Sequence, residues 1–142
     1  MEILSSRILV CPRDWEVSRR FYAETLGLAV AREFPGGVVF FLGTGYLELS
    51  KAGAVATGDR ETEHQGEHAD RGARPEGDAL WLQVRSLPDA VGALRGRGVT
   101  ITREPQREPW GLDECWIADP DGRAIVLVEI PPGHPIRTDL RE

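Results

Sequence analysis

The sequence predicts an α+β fold made of two copies of one β-α-β-β-β unit. Residues 7–51 and 79–130 pass through the same order of elements: a strand, a helix, then three strands. Between them lies a stretch almost empty of large apolar side chains. The 142 residues, 41% hydrophobic and 28% charged, suit a single compact domain with its own core. The copies match in pattern more than in identity.

The first unit opens with RILVC (7–11), a short apolar run suited to a strand. Asp14 then caps a helix, WEVSRRFYAETLG, in which Val17 and Phe21, and Tyr22 and Leu26, recur four apart until Gly27 stops it. AVARE (29–33), VVFFL (38–42) and YLELS (46–50) follow, the last two joined by a glycine-bounded turn at Gly43-Thr44-Gly45. The second unit starts at ALWLQV (79–84). Ser86 and Asp89 form a capping box, and Pro88 is tolerated in the first turn. Leu87, Val91 and Leu94 hold helical spacing, with Gly98 as terminator. VTITRE (99–104), DECWIA (113–118) and AIVLVEI (124–130) complete the copy.

The expected boundaries are module one at 5–51, a flexible linker at 52–77, module two at 78–131 and a tail at 132–142. The linker is rich in Gly, Glu, Asp and His and buries too little to offset its ordering entropy. His64 and His68 are spaced to chelate a metal on a helix, but Gly58, Gly66 and Gly72 weigh against a helix there, which favours a solvated loop.

A formal net charge of −6, a single lysine and no basic cluster exclude a phosphate-tracking nucleic-acid surface. No apolar run approaches the ~20 residues that span a bilayer, and the N-terminus lacks the pattern of a signal peptide. Cys11 and Cys115 lack metal or redox spacing, so a reduced, cytoplasmic protein is the expectation.

With FYAETLGL after the first strand and DPDG before the last, the duplicated βαβββ pattern resembles the vicinal-oxygen-chelate superfamily. This is the group of glyoxalases, bleomycin-resistance proteins and ring-cleaving dioxygenases. The resemblance covers the chain apart from the linker and tail. It implies two βαβββ modules forming a curved mixed sheet around a cleft, and says little about reaction. It also implies four metal-ligand positions, on the opening and closing strand of each unit. Counting back fourteen residues from Phe21 gives Arg7; the second opening strand gives Ala79. LEL gives Glu48, and four residues past Gly122 lies Val126. Arginine offers only donors, and alanine and valine offer nothing, so Glu48 alone could bind a cation. A catalytic metal needs about three protein ligands. Glu129, three residues beyond Val126, should point to the opposite face of its strand. Hence no metal ligand set and no cofactor are expected. Such a departure resembles the family's antibiotic-binding members, which keep the cleft and trap a drug stoichiometrically.

Strand parity extends that face. With Arg7 go Leu9 and Cys11; with Glu48 go Tyr46 and Ser50; with Ala79 go Trp81 and Gln83; with Val126 go Ala124 and Val128. Either Phe40 or Phe41 joins them, and the turn does not say which; Phe40 is carried in the candidate set. Trp110, in REPWGLDE, either flanks a ligand, as in the antibiotic-binding relatives, or packs its own hairpin. Arg7 and Glu48 could pair with each other. The candidate ligand-binding residues are therefore Arg7, Leu9, Phe40, Tyr46, Glu48, Trp81, Gln83, Trp110 and Val126, with no catalytic residue assigned.

Two function classes compete. One is non-catalytic sequestration of a small aromatic natural product. The other is an enzyme, either a metal-dependent lyase, isomerase or dioxygenase with an altered ligand set, or a metal-free one using Glu48 as acid or base. The resemblance further implies a homodimer.

Overall fold

The computed structural model describes residues 1–51 and 77–136. Nearly all of the expected linker, His64 and His68 included, and the tail beyond Ile136 lie outside the described residues. The chain divides into two compact units, Met1–His64 and Gln65–Glu142.

Unit 1 contains β1 (Arg7–Val10), α1 (Trp15–Arg20), β2 (Val30–Phe34), β3 (Gly37–Leu42) and β4 (Gly45–Ser50). Its sheet has the order β1-β4-β3-β2, with β1 parallel to β4 and the other pairs antiparallel. Asp14 starts the helix as expected, its carboxylate accepting from Val17 N at 3.1 Å. The helix does not run on uniformly. Phe21–Thr25 form a wider π-helical turn, closed by Leu26 N–H to the Phe21 carbonyl at 2.8 Å. That turn buries Tyr22 completely against the sheet, where its ring lies 6.4 Å from that of Phe40. Val10, Val38, Leu47 and Leu49 surround them at no more than 1% exposure. The β3–β4 connection is a two-residue hairpin, Gly43-Thr44, and Gly43 takes a φ of +60° that suits glycine.

Unit 2 contains β5 (Ala79–Gln83), α2 (Leu87–Gly96), β6 (Arg103–Arg107), β7 (Asp113–Ala118) and β8 (Ala124–Glu129), in sheet order β5-β8-β7-β6. Leu87, Val91 and Leu94 bury one stripe of α2 against the sheet. Ser86 Oγ caps the helix by accepting from Asp89 N at 3.3 Å. Glu129 completes the cap: its Oε2 accepts from Leu87 N at 2.6 Å, so a carboxylate sits at the positive end of the helix. Glu129 therefore lies on the helix side of β8, as parity required.

The expected strand at 99–104 is displaced: β6 runs from Arg103 to Arg107. The β-branched run before it is consumed by the connection. Val99 N–H bonds back to the Leu94 carbonyl at the end of α2, and pairing with β7 begins only at Thr102, whose N–H meets the Trp116 carbonyl at 2.8 Å. Pro105 is accommodated because β6 is an edge strand with a register shift between Arg103 and Gln106. The other strands match their expected spans to within one or two residues at either end.

Among the described residues, no helix is long and apolar enough to cross a membrane. The two units together give an α+β structure of two four-stranded mixed sheets with few helices.

Candidate functional site

Among the described residues, each unit packs one sheet face under its helix and leaves the other without one. In unit 1 the helix-free face follows from register. One row holds Arg7, Tyr46 and Phe41; the next holds Leu9, Glu48, Val39 and Arg32; a third pairs Ser50 with Gly37, and Gly37 with Phe34. Four candidates, Arg7, Leu9, Tyr46 and Glu48, share this face. Phe40 does not. It pairs with Leu47 and is fully buried on the helix side, and its neighbour Phe41, 49% exposed, takes the place expected of it. The correction follows from the hairpin turn, which sets the register of β3 and alternates its side chains accordingly.

Arg7 Nη1 donates to Glu48 Oε2 at 2.5 Å, which settles that the two pair. The glutamate side chain is 14% exposed and the arginine side chain 41%, so the acid is the inner partner and the guanidinium the outer one. The guanidinium also lies 6.0 Å from the centre of the Tyr46 ring, whose other neighbour, Phe41, is at 5.6 Å. At the far end, Phe34 lies over Gly37 so closely that a Cβ there would come within 2.1 Å of the ring, so any side chain at 37 requires the Phe34 ring to move. Arg32 stacks on Phe34 at 5.4 Å.

In unit 2 the helix-free face carries Ala79, Trp81 and Gln83 on β5, matched to Ala124, Val126 and Val128 on β8, then to Ala118, Trp116 and Glu114 on β7. Trp81, Gln83 and Val126 thus share a face as expected. Trp81 is 46% exposed, whereas Val126 is buried with Leu112, Trp116, Val128 and Ile130, and Trp110 packs against that cluster.

Three charged residues here escaped sequence reasoning. Glu114, 4% exposed, accepts the indole N–H of Trp110 at 2.6 Å through Oε1 and that of Trp116 at 3.2 Å through Oε2. Glu108 is buried and pairs with Arg103, Nε to Oε1 at 3.0 Å and Nη2 to Oε2 at 3.1 Å, while Gln106 Nε2 donates to it at 3.0 Å. Arg103 in turn stacks on Trp116, 4.5 Å from the ring centre. A glutamate between two tryptophans in one strand and its preceding turn was the available signal, because buried indole N–H groups need acceptors. Trp110 is thus part of its own unit's packing, and His134 Nε2 lies 3.2 Å from its carbonyl. Cys115 is fully buried, and its thiol is pushed up to about 11 by that burial and by the charge of Glu104. Cys11 is exposed.

The four positions where the resemblance implies metal ligands do not fit a divalent cation. Glu48 is the one with a suitable oxygen, and one of its two oxygens is bonded to Arg7. Ala79 and Val126 bring no donor, and Arg7 brings only N–H groups. Among the described residues, no group of three or more His, Cys, Asp or Glu could hold a metal ion.

Known structures carry the same fold. A glyoxalase/bleomycin resistance protein/dioxygenase from Nocardioides is 23% identical, with a TM-score of 0.65, over 95% of this chain and 89% of that one. An integron cassette protein from V. cholerae is 20% identical, with a TM-score of 0.64, over 92% and 98%. Lactoylglutathione lyase from Agrobacterium tumefaciens is 20% identical, with a TM-score of 0.62, over 87% and 90%. No curated protein matches the sequence. The family model for the Glyoxalase/Bleomycin resistance protein/Dioxygenase superfamily matches residues 5–127, and the chain belongs to that superfamily.

Proposed function

We propose that this protein binds a small aromatic natural product and sequesters it unchanged, the mode of an antibiotic-resistance protein. The observation that carries the reading is the Arg7–Glu48 pair: the single carboxylate at the implied metal positions is already bonded to a permanent cation. What surrounds it suits a ligand with a flat apolar body. Leu9 (67% exposed) and Phe41 lie uncovered beside Tyr46 on the same face of unit 1. Each aromatic contact adds about 0.5–1.5 kcal/mol beyond area burial, so a nanomolar complex, near −12 kcal/mol, draws most of its energy from burying the ligand. A metal-dependent lyase or dioxygenase would need donors that these positions lack.

The same reading includes a homodimer. Ile8, 43% exposed, and Leu9 lie on β1, an edge strand whose outer side pairs with no strand of its sheet among the described residues.

The test is to incubate chelator-treated protein with a panel of planar aromatic natural products and recover them by chromatography. Capture of one compound at one equivalent per site, with quenching of tryptophan fluorescence and quantitative recovery unaltered, is the expected result. Conversion of that compound on addition of zinc, nickel, manganese or iron contradicts the proposal.

A further inference from the structure

We propose that the ligand is an aromatic anion, and that Arg7 is the residue that receives its carboxylate or sulfonate. This rests on the binding reading above and names the class of molecule that the unit 1 face accepts.

The geometry of Arg7 leaves its donors available. It meets Glu48 through Nη1 alone, and among the described residues Nε and Nη2 have no protein acceptor. Its side chain is 41% exposed, so those two N–H groups form an accessible edge with the fork spacing that grips a carboxylate or sulfonate by two parallel bonds. Glu48 and the Tyr46 ring hold the guanidinium in place, so little orientational freedom remains to be lost on binding.

Charge on this face points the same way. Its strand residues include two cations, Arg7 and Arg32, and one carboxylate, Glu48. Glu33 belongs to the opposite face, where it pairs with Arg19 at 2.5 Å. In a chain of net charge −6, the described strand residues of this face therefore carry more positive than negative charge. A cationic ligand would be repelled by Arg7 and Arg32, and a neutral one would leave the outer edge of Arg7 unused.

The apolar part of the ligand has a platform in the same row. From Arg7 on β1, across Tyr46 on β4, to Phe41 on β3 is two strand spacings, ~10 Å, about the length of a two-ring aromatic. Phe41 is exposed at the end of this row, and Leu9 is exposed in the next. An anion seated on Arg7 lays its rings over Tyr46 toward Phe41.

Two fluorescent probes separate charge from apolar contact: 8-anilinonaphthalene-1-sulfonate, and N-phenyl-1-naphthylamine, the same ring system without the sulfonate. Both are titrated into the full chain by fluorescence enhancement. The sulfonate probe is expected to bind at least about tenfold more tightly, and to lose that advantage as salt is raised. Arg7→Gln should remove it, bringing the sulfonate probe to the affinity of its neutral analogue. The neutral probe should shift less than about twofold in that variant, which also shows that the face is still folded. Phe41→Ala should weaken both probes. Equal affinities, with Arg7→Gln changing neither, overturn the anion assignment and leave the binding reading standing. If neither probe saturates, the binding reading falls, and the assignment of Arg7 with it.

Discussion

On the helix-free face of unit 1, Arg7 and Glu48 pair with 41% and 14% of their side chains exposed; in unit 2, Arg103 and Glu108 pair with 8% and 0%. One topology thus carries two ion pairs in opposite settings. The buried pair has further partners: Gln106 donates to the acid and Trp116 stacks on the guanidinium. Its charges have left water, so each depends on the other. The open pair keeps one edge of its arginine toward solvent. An ion pair whose arginine is partly exposed contributes less to folding than a buried one and leaves donors for another partner. Under the proposed function, unit 2's charges serve structure and unit 1's serve recognition.

Breaking each pair tests that assignment. Glu108→Ala strands a buried guanidinium and should cost about 3–5 kcal/mol in denaturant unfolding, among the largest effects expected. Glu48→Gln should change stability by no more than about 1 kcal/mol. Comparable costs for the two would erase the distinction.

The second comparison is between adjacent phenylalanines. Phe40→Ala opens a cavity beside Tyr22 and should cost about 3–5 kcal/mol. Phe41→Ala, at a half-exposed site, should fall within about 1 kcal/mol by the same unfolding measurement. A reversal would mean that β3 is paired one residue out of register.

The two cysteines, whose effect near neutral pH is the smallest, separate the units by accessibility. Cys11 is exposed and should react at once with a thiol reagent at pH 8, while buried Cys115 reacts only on unfolding. The Cys115 thiol ionises at about 11 in the folded chain and near 9 when unfolded, so folding favours the protonated form. Its contribution is full below pH 9 and is lost as pH rises from 9 to about 11. In Cys115→Ala that part of the alkaline decline should disappear from melts measured across this range.

How much was legible in the sequence follows from the same residues. Period-two alternation correctly separated Val126 from Glu129, since a strand has no freedom to put positions three apart on one face without a bulge. It grouped Arg7 with Leu9, and Tyr46 with Glu48, for the same reason. The Phe40–Phe41 choice was not legible, because it depends on where the Gly43-Thr44 turn sets the pairing, and one residue of slip inverts every side chain. β6 was misplaced because β-branched residues 99–102 look like a strand, whereas Val99 is spent closing the end of α2. The burial of Glu108, Glu114 and Arg103 was not legible, because composition does not reveal that charged groups will be paired with each other and with indoles in the interior. The pairing of Arg7 with Glu48 was left as one possibility among others: it requires two strands that are far apart in sequence to run side by side in parallel.

The central claim is that Glu48 serves Arg7 and not a metal. Calorimetric titration of chelator-treated protein with zinc, nickel and manganese, repeated on Glu48→Gln, tests it most directly. The account predicts no stoichiometric binding that the substitution removes. One equivalent of metal per chain, bound at micromolar affinity or better and lost in Glu48→Gln, would contradict it.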